Sequence, residues 1–168
     1  VEWMINSKPE NINFYYFSQN TNDKAVEYIL KHHLILEINL TFFSKNTNDK
    51  AVEWLINHPE EINCDIFSLN THDKAVEWLI NHPEKIDHHR FSENTNNKAV
   101  DWMIQHPEKI DRHSFLQNTN DKAVEWMINH SDKIDRHSFS QNTNDKAVDW
   151  MIQHPEKIYS CFSANTND

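Results

Sequence analysis

The sequence contains no glycine among its 168 residues, although glycine makes up about 7% of an average protein. Gly-rich phosphate-binding loops and the Rossmann fingerprint both need residues without a Cβ, so the commonest nucleotide-binding motifs are excluded. Only two cysteines are present, Cys64 and Cys161, and they form neither a CxxC metal motif nor a disulfide framework. We therefore expect an intracellular, cytoplasmic protein in a reducing environment.

Positive charge is also scarce, because 16 Lys and Arg residues stand against 26 Asp and Glu residues, for a net charge of −10. Such a chain is repelled by nucleic-acid phosphates and by anionic membrane surfaces. Long apolar runs are absent as well, and none approaches the roughly 18 residues of a membrane-spanning helix. We expect no membrane partner, and the charge weighs against a nucleic acid.

What the sequence does contain is an internal repeat. The segment Asn-Thr-Asn-Asp, or a close variant, begins at Asn20, Asn46, Asn70, Asn94, Asn118, Asn142 and Asn165. These starts lie 26, 24, 24, 24, 24 and 23 residues apart. Residues 1–168 are therefore predicted to be a single array of about 6.5 units. Because Val1-Glu2-Trp3 falls in the middle of a unit, we expect the chain to be part of a longer array.

Each unit is predicted to form two helices. Helix A follows the capping Asn-Thr-Asn-Asp turn and carries a wide apolar face, as in Ala75-Val76 and Leu79-Ile80. The His82-Pro83 pair breaks it, and helix B is predicted to run from Pro83 to about Ser92, with Asn94 as a left-handed closing residue. Short helices are marginal alone, so they must stack. The predicted fold is all-α, an α-solenoid of stacked antiparallel helix pairs.

Units of the type F-S-x-N-x-(n)-A-V-x-W/L-L-I-x-H/N-P-E-K-I resemble the short, Asn- and Lys-rich helical repeats of proteins from giant DNA viruses and some protists. The resemblance covers essentially the whole chain and implies a stacked helical array, usually without an assigned biochemical role. It transfers no site residues. It makes association with a virus particle an alternative to a free cytoplasmic protein.

Two aromatic residues recur once in each unit. Phenylalanine recurs at Phe17, Phe43, Phe67, Phe91, Phe115, Phe139 and Phe162, and these residues are predicted to lie in the core. Tryptophan recurs at Trp3, Trp54, Trp78, Trp102, Trp126 and Trp150, with Tyr28 in register. Its place beside Leu and Ile favours a core position, and an exposed groove for peptides is the alternative.

Histidines also recur in register. One set precedes the proline turn at His58, His82, His106, His130 and His154, and a second lies on helix B at His89, His113 and His137. Metal ligands must lie about 2 Å from one ion, whereas equivalent residues of stacked helices lie about 10 Å apart. We therefore interpret the first set as solvated turn residues and predict neither a metal site nor a cofactor.

The informative variation lies in the three residues before each helix-B phenylalanine. They change from apolar to basic along the chain, through Phe14-Tyr15-Tyr16, Leu40-Thr41-Phe42, Cys64-Asp65-Ile66, His88-His89-Arg90, Arg112-His113-Ser114 and Arg136-His137-Ser138. One interpretation is that the early units pack against irregular neighbours. The other is a graded binding surface whose basic part suits an acidic protein segment. The candidate partner-binding residues are His88, His89, Arg90, Arg112, His113, Arg136 and His137.

No catalytic site is predicted, because the carboxylates recur in register as a solvated stripe and do not form one unique pair. Lys50 and Glu53 are expected to support helix A as a local pair at i,i+3. The predicted function is a non-enzymatic protein–protein interaction scaffold. The alternatives are a single-stranded nucleic-acid reader with one base per repeat and a purely structural rod, in a virion for example.

Overall fold

A computed structural model of the protein describes residues 12–32 and 38–155, and the chain divides into two compact units, Val1–Ile86 and Asp87–Asp168. In the described ranges the regular structure consists of twelve α-helices and four short 3₁₀ turns, without any strand. The all-α class is therefore confirmed for this part of the chain. Trp3, Phe162 and the last Asn-Thr-Asn-Asp segment lie outside the described residues.

Long and short helices alternate along the chain. The long ones, the A helices, have nine residues each: α2 (Asp23–Lys31), α4 (Asp49–Asn57), α6 (Asp73–Asn81), α8 (Asn97–Gln105), α10 (Asp121–Asn129) and α12 (Asp145–Gln153). The short ones, the B helices, are α1 (Phe14–Phe17), α3 (Leu40–Ser44), α5 (Cys64–Phe67), α7 (His88–Glu93), α9 (Arg112–Leu116) and α11 (Arg136–Phe139). The 3₁₀ turns are Pro59–Glu61, Pro83–Lys85, Pro107–Lys109 and Ser131–Lys133.

The A helices begin where the capping segment predicts. The Oδ1 atom of Asn48 accepts a hydrogen bond of 2.9 Å from the backbone N–H of Lys50, which satisfies one of the unpaired donors of the first turn. In α6 a histidine replaces this asparagine, and the Nδ1 atom of His72 accepts from the N–H of Lys74 at 3.2 Å. The capping position therefore needs an acceptor atom at this distance from the backbone, and either residue supplies it.

The predicted continuous helix from Pro83 to Ser92 is wrong. Pro83–Lys85 forms a 3₁₀ turn, and the B helix begins only at His88. The next repeat shows the reason. Its residues Ile110 and Asp111 are both extended, with ψ angles of 124° and 107°. The Oδ1 atom of Asp111 accepts from the N–H of Ser114 at 3.0 Å, so Asp111 starts a new helix.

The predicted left-handed conformation of Asn94 is also wrong. Its φ and ψ angles of −69° and 121° are those of extended backbone. Asn94 is buried, with 1% of its surface exposed. The Oδ1 atom of Asn94 accepts from the N–H of Asn96 at 2.9 Å, so the asparagine acts through its side-chain amide and not through an unusual backbone conformation.

Helices of the same kind pack against each other within each unit. In the first unit α4 packs against α2 and α6, and α3 packs against α5 and also against the A helix α4. In the second unit α10 packs between α8 and α12, and α9 packs between α7 and α11. The cores contain the Ala, Val and Leu or Met residues of the A helices together with the recurring phenylalanines, which are at most 6% exposed from Phe17 to Phe139. The core position predicted for the phenylalanines is confirmed.

Candidate interaction surface

Within each of the two compact units, buried asparagines join a repeat to the preceding one. The Nδ2 atom of Asn118 donates to the carbonyl oxygens of Ser92 and Asn94, each at 3.0 Å, while its Oδ1 atom accepts from the N–H of Asn120 at 2.9 Å. The same three bonds recur at Asn46, Asn70 and Asn142. Both donors of each amide are used, and each amide lies in the interior, where such bonds hold the spacing of neighbouring segments.

A buried serine makes a second connection between repeats. The hydroxyl of Ser92 donates to the carbonyl of His88 at 2.7 Å and accepts from the backbone N–H of Asp111 at 2.9 Å. Ser44 accepts in the same way from the N–H of Asn63 at 3.0 Å. The bond holds the capping residue of one B helix against the end of the preceding B helix. Ser92 and Ser44 therefore position the N-termini of the B helices.

Within each compact unit, lysines of the A helices form ion pairs with the preceding repeat. Lys50 pairs with Glu27 and Lys74 pairs with Glu53, so the expected local pair between Lys50 and Glu53 is wrong. The Nζ atom of Lys122 lies 2.8 Å from Asp101 in the second unit. These groups are solvent-exposed, and exposed pairs contribute little to stability.

Each described tryptophan carries a histidine ring on its indole. The rings of Trp126 and His130 are stacked, with centroids 4.2 Å apart and an angle of 25° between planes. The Nδ1 atom of His130 lies 2.7 Å from the carbonyl oxygen of Trp126. Because a carbonyl only accepts, Nδ1 is the protonated nitrogen. The same stack and bond recur at Trp54 with His58, Trp78 with His82, Trp102 with His106 and Trp150 with His154.

This arrangement corrects the predictions for both sets of residues. The histidines before the turn are not simply solvated, since each is stacked, hydrogen-bonded and partly buried. The tryptophans are partly exposed and do not lie fully in the core. The ring of Trp126 packs nearly perpendicular to that of Phe115, with centroids 5.7 Å apart at 79°, and its face carries His130. The indole therefore forms the boundary between the core and the surface.

The candidate partner-binding residues all lie in the second unit, on α7, α9 and α11. Exposed side chains belong to His89, Arg112, His113, Arg136 and His137, and partly buried ones belong to His88 and Arg90. The ring of His88 lies parallel to Trp102, at an angle of 7° and a centroid distance of 6.3 Å. Because these three helices pack in succession, the structure brings the basic residues together on neighbouring B helices.

Two of these histidines also bind the next repeat. The Nδ1 atom of His89 lies 2.8 Å from the hydroxyl of Ser114, and the Nδ1 atom of His113 lies 2.6 Å from the hydroxyl of Ser138. The capping aspartates beside them are stabilised as anions. The N–H of Ser114 is the main cause that lowers the pKa of Asp111, and the hydroxyl of Ser138 is the main cause for Asp135. His89 and His113 thus contribute to the packing of B helices as well as to the surface.

A pocket of about 210 Å³ opens beside Arg112 in the second unit. Its walls are apolar and come from Ile110, Phe115, Leu116, Met127 and Ile134, together with Pro107 and Trp126. Arg112 and His130 are the ionisable residues that line it. The first unit has a related cleft between Pro59 and Trp78, lined also by Ile56, Glu60, His82 and Lys85. Of the lining of the first pocket, the sequence prediction had singled out only Arg112 for partner binding.

One sequence signal for this pocket was present. Position 116 carries leucine, whereas the equivalent positions carry serine at Ser18, Ser44, Ser68, Ser92 and Ser140. Trp126 and His130 gave no such signal, because the same residue types recur in neighbouring repeats. Only the packing shows which tryptophans and histidines border a cavity.

Within residues 12–32 and 38–155, no three His, Cys, Asp or Glu side chains converge on a possible metal site. In the same part of the chain no helix has the length and apolar character needed to cross a membrane. No protein-family model matches the sequence, and neither a curated protein nor a solved structure matches it. The resemblance to viral and protist repeat proteins therefore stays a prediction.

Proposed function

We propose that the protein is a non-enzymatic scaffold that binds other proteins, built as an α-solenoid of antiparallel helix pairs over residues 1–168. The recurrence of the same inter-repeat bonds supports the solenoid, since Asn46, Asn70, Asn118 and Asn142 each bind the preceding repeat in the same way. Such stacking places the varying residues of successive repeats on a common surface.

The proposed binding surface consists of the B helices of the second unit, and its partner is an acidic protein segment. The observation that carries the proposal is the exposure of Arg112, His113, Arg136 and His137 on α9 and α11, two helices that pack directly together. In a chain of net charge −10 this clustering of basic residues is a local exception. Charge complementarity of this kind gives specificity and speeds association.

Fluorescence anisotropy with a labelled poly-aspartate/glutamate peptide tests the proposal. Replacing both Arg112 and Arg136 by glutamine should weaken binding by about threefold or more. The matched control replaces Lys24 and Lys98 by glutamine, because both are exposed on A helices and the change in net charge is the same. An equal loss of affinity in both variants would show that only the overall charge matters and would contradict the assigned surface.

The second candidate is a reader of single-stranded nucleic acid. The partly exposed Trp–His stacks favour it, because nucleic-acid bases stack on aromatic rings. In the same assay a labelled single-stranded RNA would then bind more tightly than the acidic peptide, and its affinity would fall steeply with salt. A purely structural rod, with or without a virion, predicts that neither probe binds.

A further inference from the structure

The pocket beside Arg112 lies where the sequence repeat is broken twice. Leucine stands at position 116 in place of serine. Ser131 stands where other repeats have proline, at Pro59, Pro83, Pro107 and Pro155. Leu116 lines the pocket, and Ser131 lines an adjoining cleft that shares Ile134 with it. Two departures from a regular pattern thus meet at one cavity of the second unit.

Leucine at position 116 has a structural cost. Ser92, at the equivalent position one repeat earlier, accepts a hydrogen bond from the N–H of Asp111 and donates one to the carbonyl of His88. A leucine side chain makes neither bond. Leu116 is nevertheless 3% exposed and contributes an apolar wall where serine would place a hydroxyl. The substitution therefore exchanges a structural connection for an apolar pocket.

We infer that this pocket binds one aromatic side chain, of phenylalanine type, from an acidic partner segment, with a carboxylate next to that side chain bound by Arg112. The inference rests on the proposed function and specifies its partner. The volume of about 210 Å³ is sufficient, because an apolar cavity of about 150 Å³ holds benzene. The exposed part of the Trp126 indole offers a ring for edge-to-face contact.

The charge at the pocket selects the flanking residues of the ligand. Arg112 and His130 line the pocket, and neither side chain can carry negative charge. Arg136 lines the adjoining cleft, where Asp132 is the acidic neighbour. Arginine binds a carboxylate through two parallel N–H donors, so a carboxylate beside the inserted ring matches Arg112 in chemistry.

The test uses three labelled peptides and the full chain. The first is Asp-Glu-Asp-Phe-Asp-Glu-Asp, the second has Ala for Phe, and the third has Asn and Gln for Asp and Glu. We expect the affinity of the first peptide to be at least about tenfold higher than that of the second, since burial of one phenylalanine ring accounts for such a factor. The third should lose the contribution of Arg112 and bind more weakly than the first.

Leu116→Ser is the decisive variant, because it restores the residue found in the other copies and should fold as they do. It should weaken binding of the Phe peptide by about tenfold and leave binding of the Ala peptide unchanged. Arg136→Gln, outside the pocket, should weaken both peptides by the same factor. In methyl NMR the Phe peptide should shift the signal of Met127, which lines the pocket, and leave that of Met151 in place.

The outcomes separate the pocket from the proposed function. If no acidic peptide binds, both proposals are overturned. If the Phe and Ala peptides bind equally and Leu116→Ser changes neither, the surface binds acidic segments and the pocket inference alone is wrong. Self-association of the chain that Leu116→Ser abolishes would show that a second copy occupies the pocket, and would also overturn the inference.

Discussion

The side-chain amide of Asn118 donates to the main-chain carbonyl of Asn94, 3.0 Å away and one sequence repeat earlier. Both residues are buried, and neither carries a charge that would need desolvation. A second bond from the same amide to the carbonyl of Ser92 leaves no donor of Asn118 unused. Helices of four to nine residues can pack in register here because the amide adds directional bonds to a non-directional apolar core.

Asn118→Ala should therefore destabilise the protein by at least about 2 kcal/mol, since it leaves buried carbonyls without their donor. Urea unfolding followed by circular dichroism measures this loss. The control is Asn129→Ala, the same change at an exposed position at the end of α10, which should cost little. Similar losses in the two variants would mean that the buried amide has no special role.

The phenylalanine and tryptophan of one repeat should differ in their contribution to stability. Phe91→Ala removes a side chain with no exposed surface and should cost about 3–5 kcal/mol. Trp102→Ala should cost less, because its indole is partly exposed and carries His106 on its face. Urea unfolding of both variants gives the order. A larger loss for Trp102→Ala would place the indole in the core, as its sequence context suggested.

The pH dependence of stability should include a contribution from Asp111. Hydrogen bonding from Ser114 lowers the pKa of Asp111 in the folded protein. The resulting stabilisation is present above the pKa of the unfolded chain and is lost as the pH falls through the folded pKa, below about pH 4. Asp111→Asn keeps a capping acceptor, as Asn63 does in the first unit, so stability should fall less steeply between pH 5 and pH 3.

Two comparisons test this assignment by thermal unfolding. Asp111→Ala should lose about 1 kcal/mol at neutral pH, because the cap itself is removed. Asp149→Asn, at an exposed position on α12, should leave the pH dependence as it is in the parent protein. If Asp149→Asn reduced the loss of stability between pH 5 and pH 3 as much as Asp111→Asn did, the capping aspartate would not be the titrating group.

Solubility should reach a minimum near pH 5.6, the isoelectric point of the sequence, because self-repulsion is smallest there. Helicity should persist through this range, since the buried asparagines and serines that connect repeats do not titrate. Light scattering and circular dichroism measured together from pH 4.5 to pH 8 test both statements. Cooperative loss of helix near pH 6, without prior association, would contradict them.

The A helices and the phenylalanine core could be predicted from the sequence because their signals are local. An asparagine cap and apolar residues at helical spacing act within nine residues, as in Asp49–Asn57. The break in the B segment was also encoded locally, by the capping residue Asp111, although the proline before it, taken alone, predicts one continuous helix. A proline starts a helix without determining how far that helix continues.

The sequence by itself thus determined the repeat, the all-helical class, the starts of the A helices and the one leucine that departs from the serine pattern. Only the tertiary structure decided what the asparagines, lysines and histidines do. Asn118 binds atoms 24 and 26 residues away, Lys122 pairs with an aspartate 21 residues away, and His113 contacts a serine 25 residues away. Sequence spacing along one helix cannot show such partners, because they are set by how successive repeats pack. The pocket beside Arg112 depends on the same packing, since its walls come from segments that meet only in the folded chain.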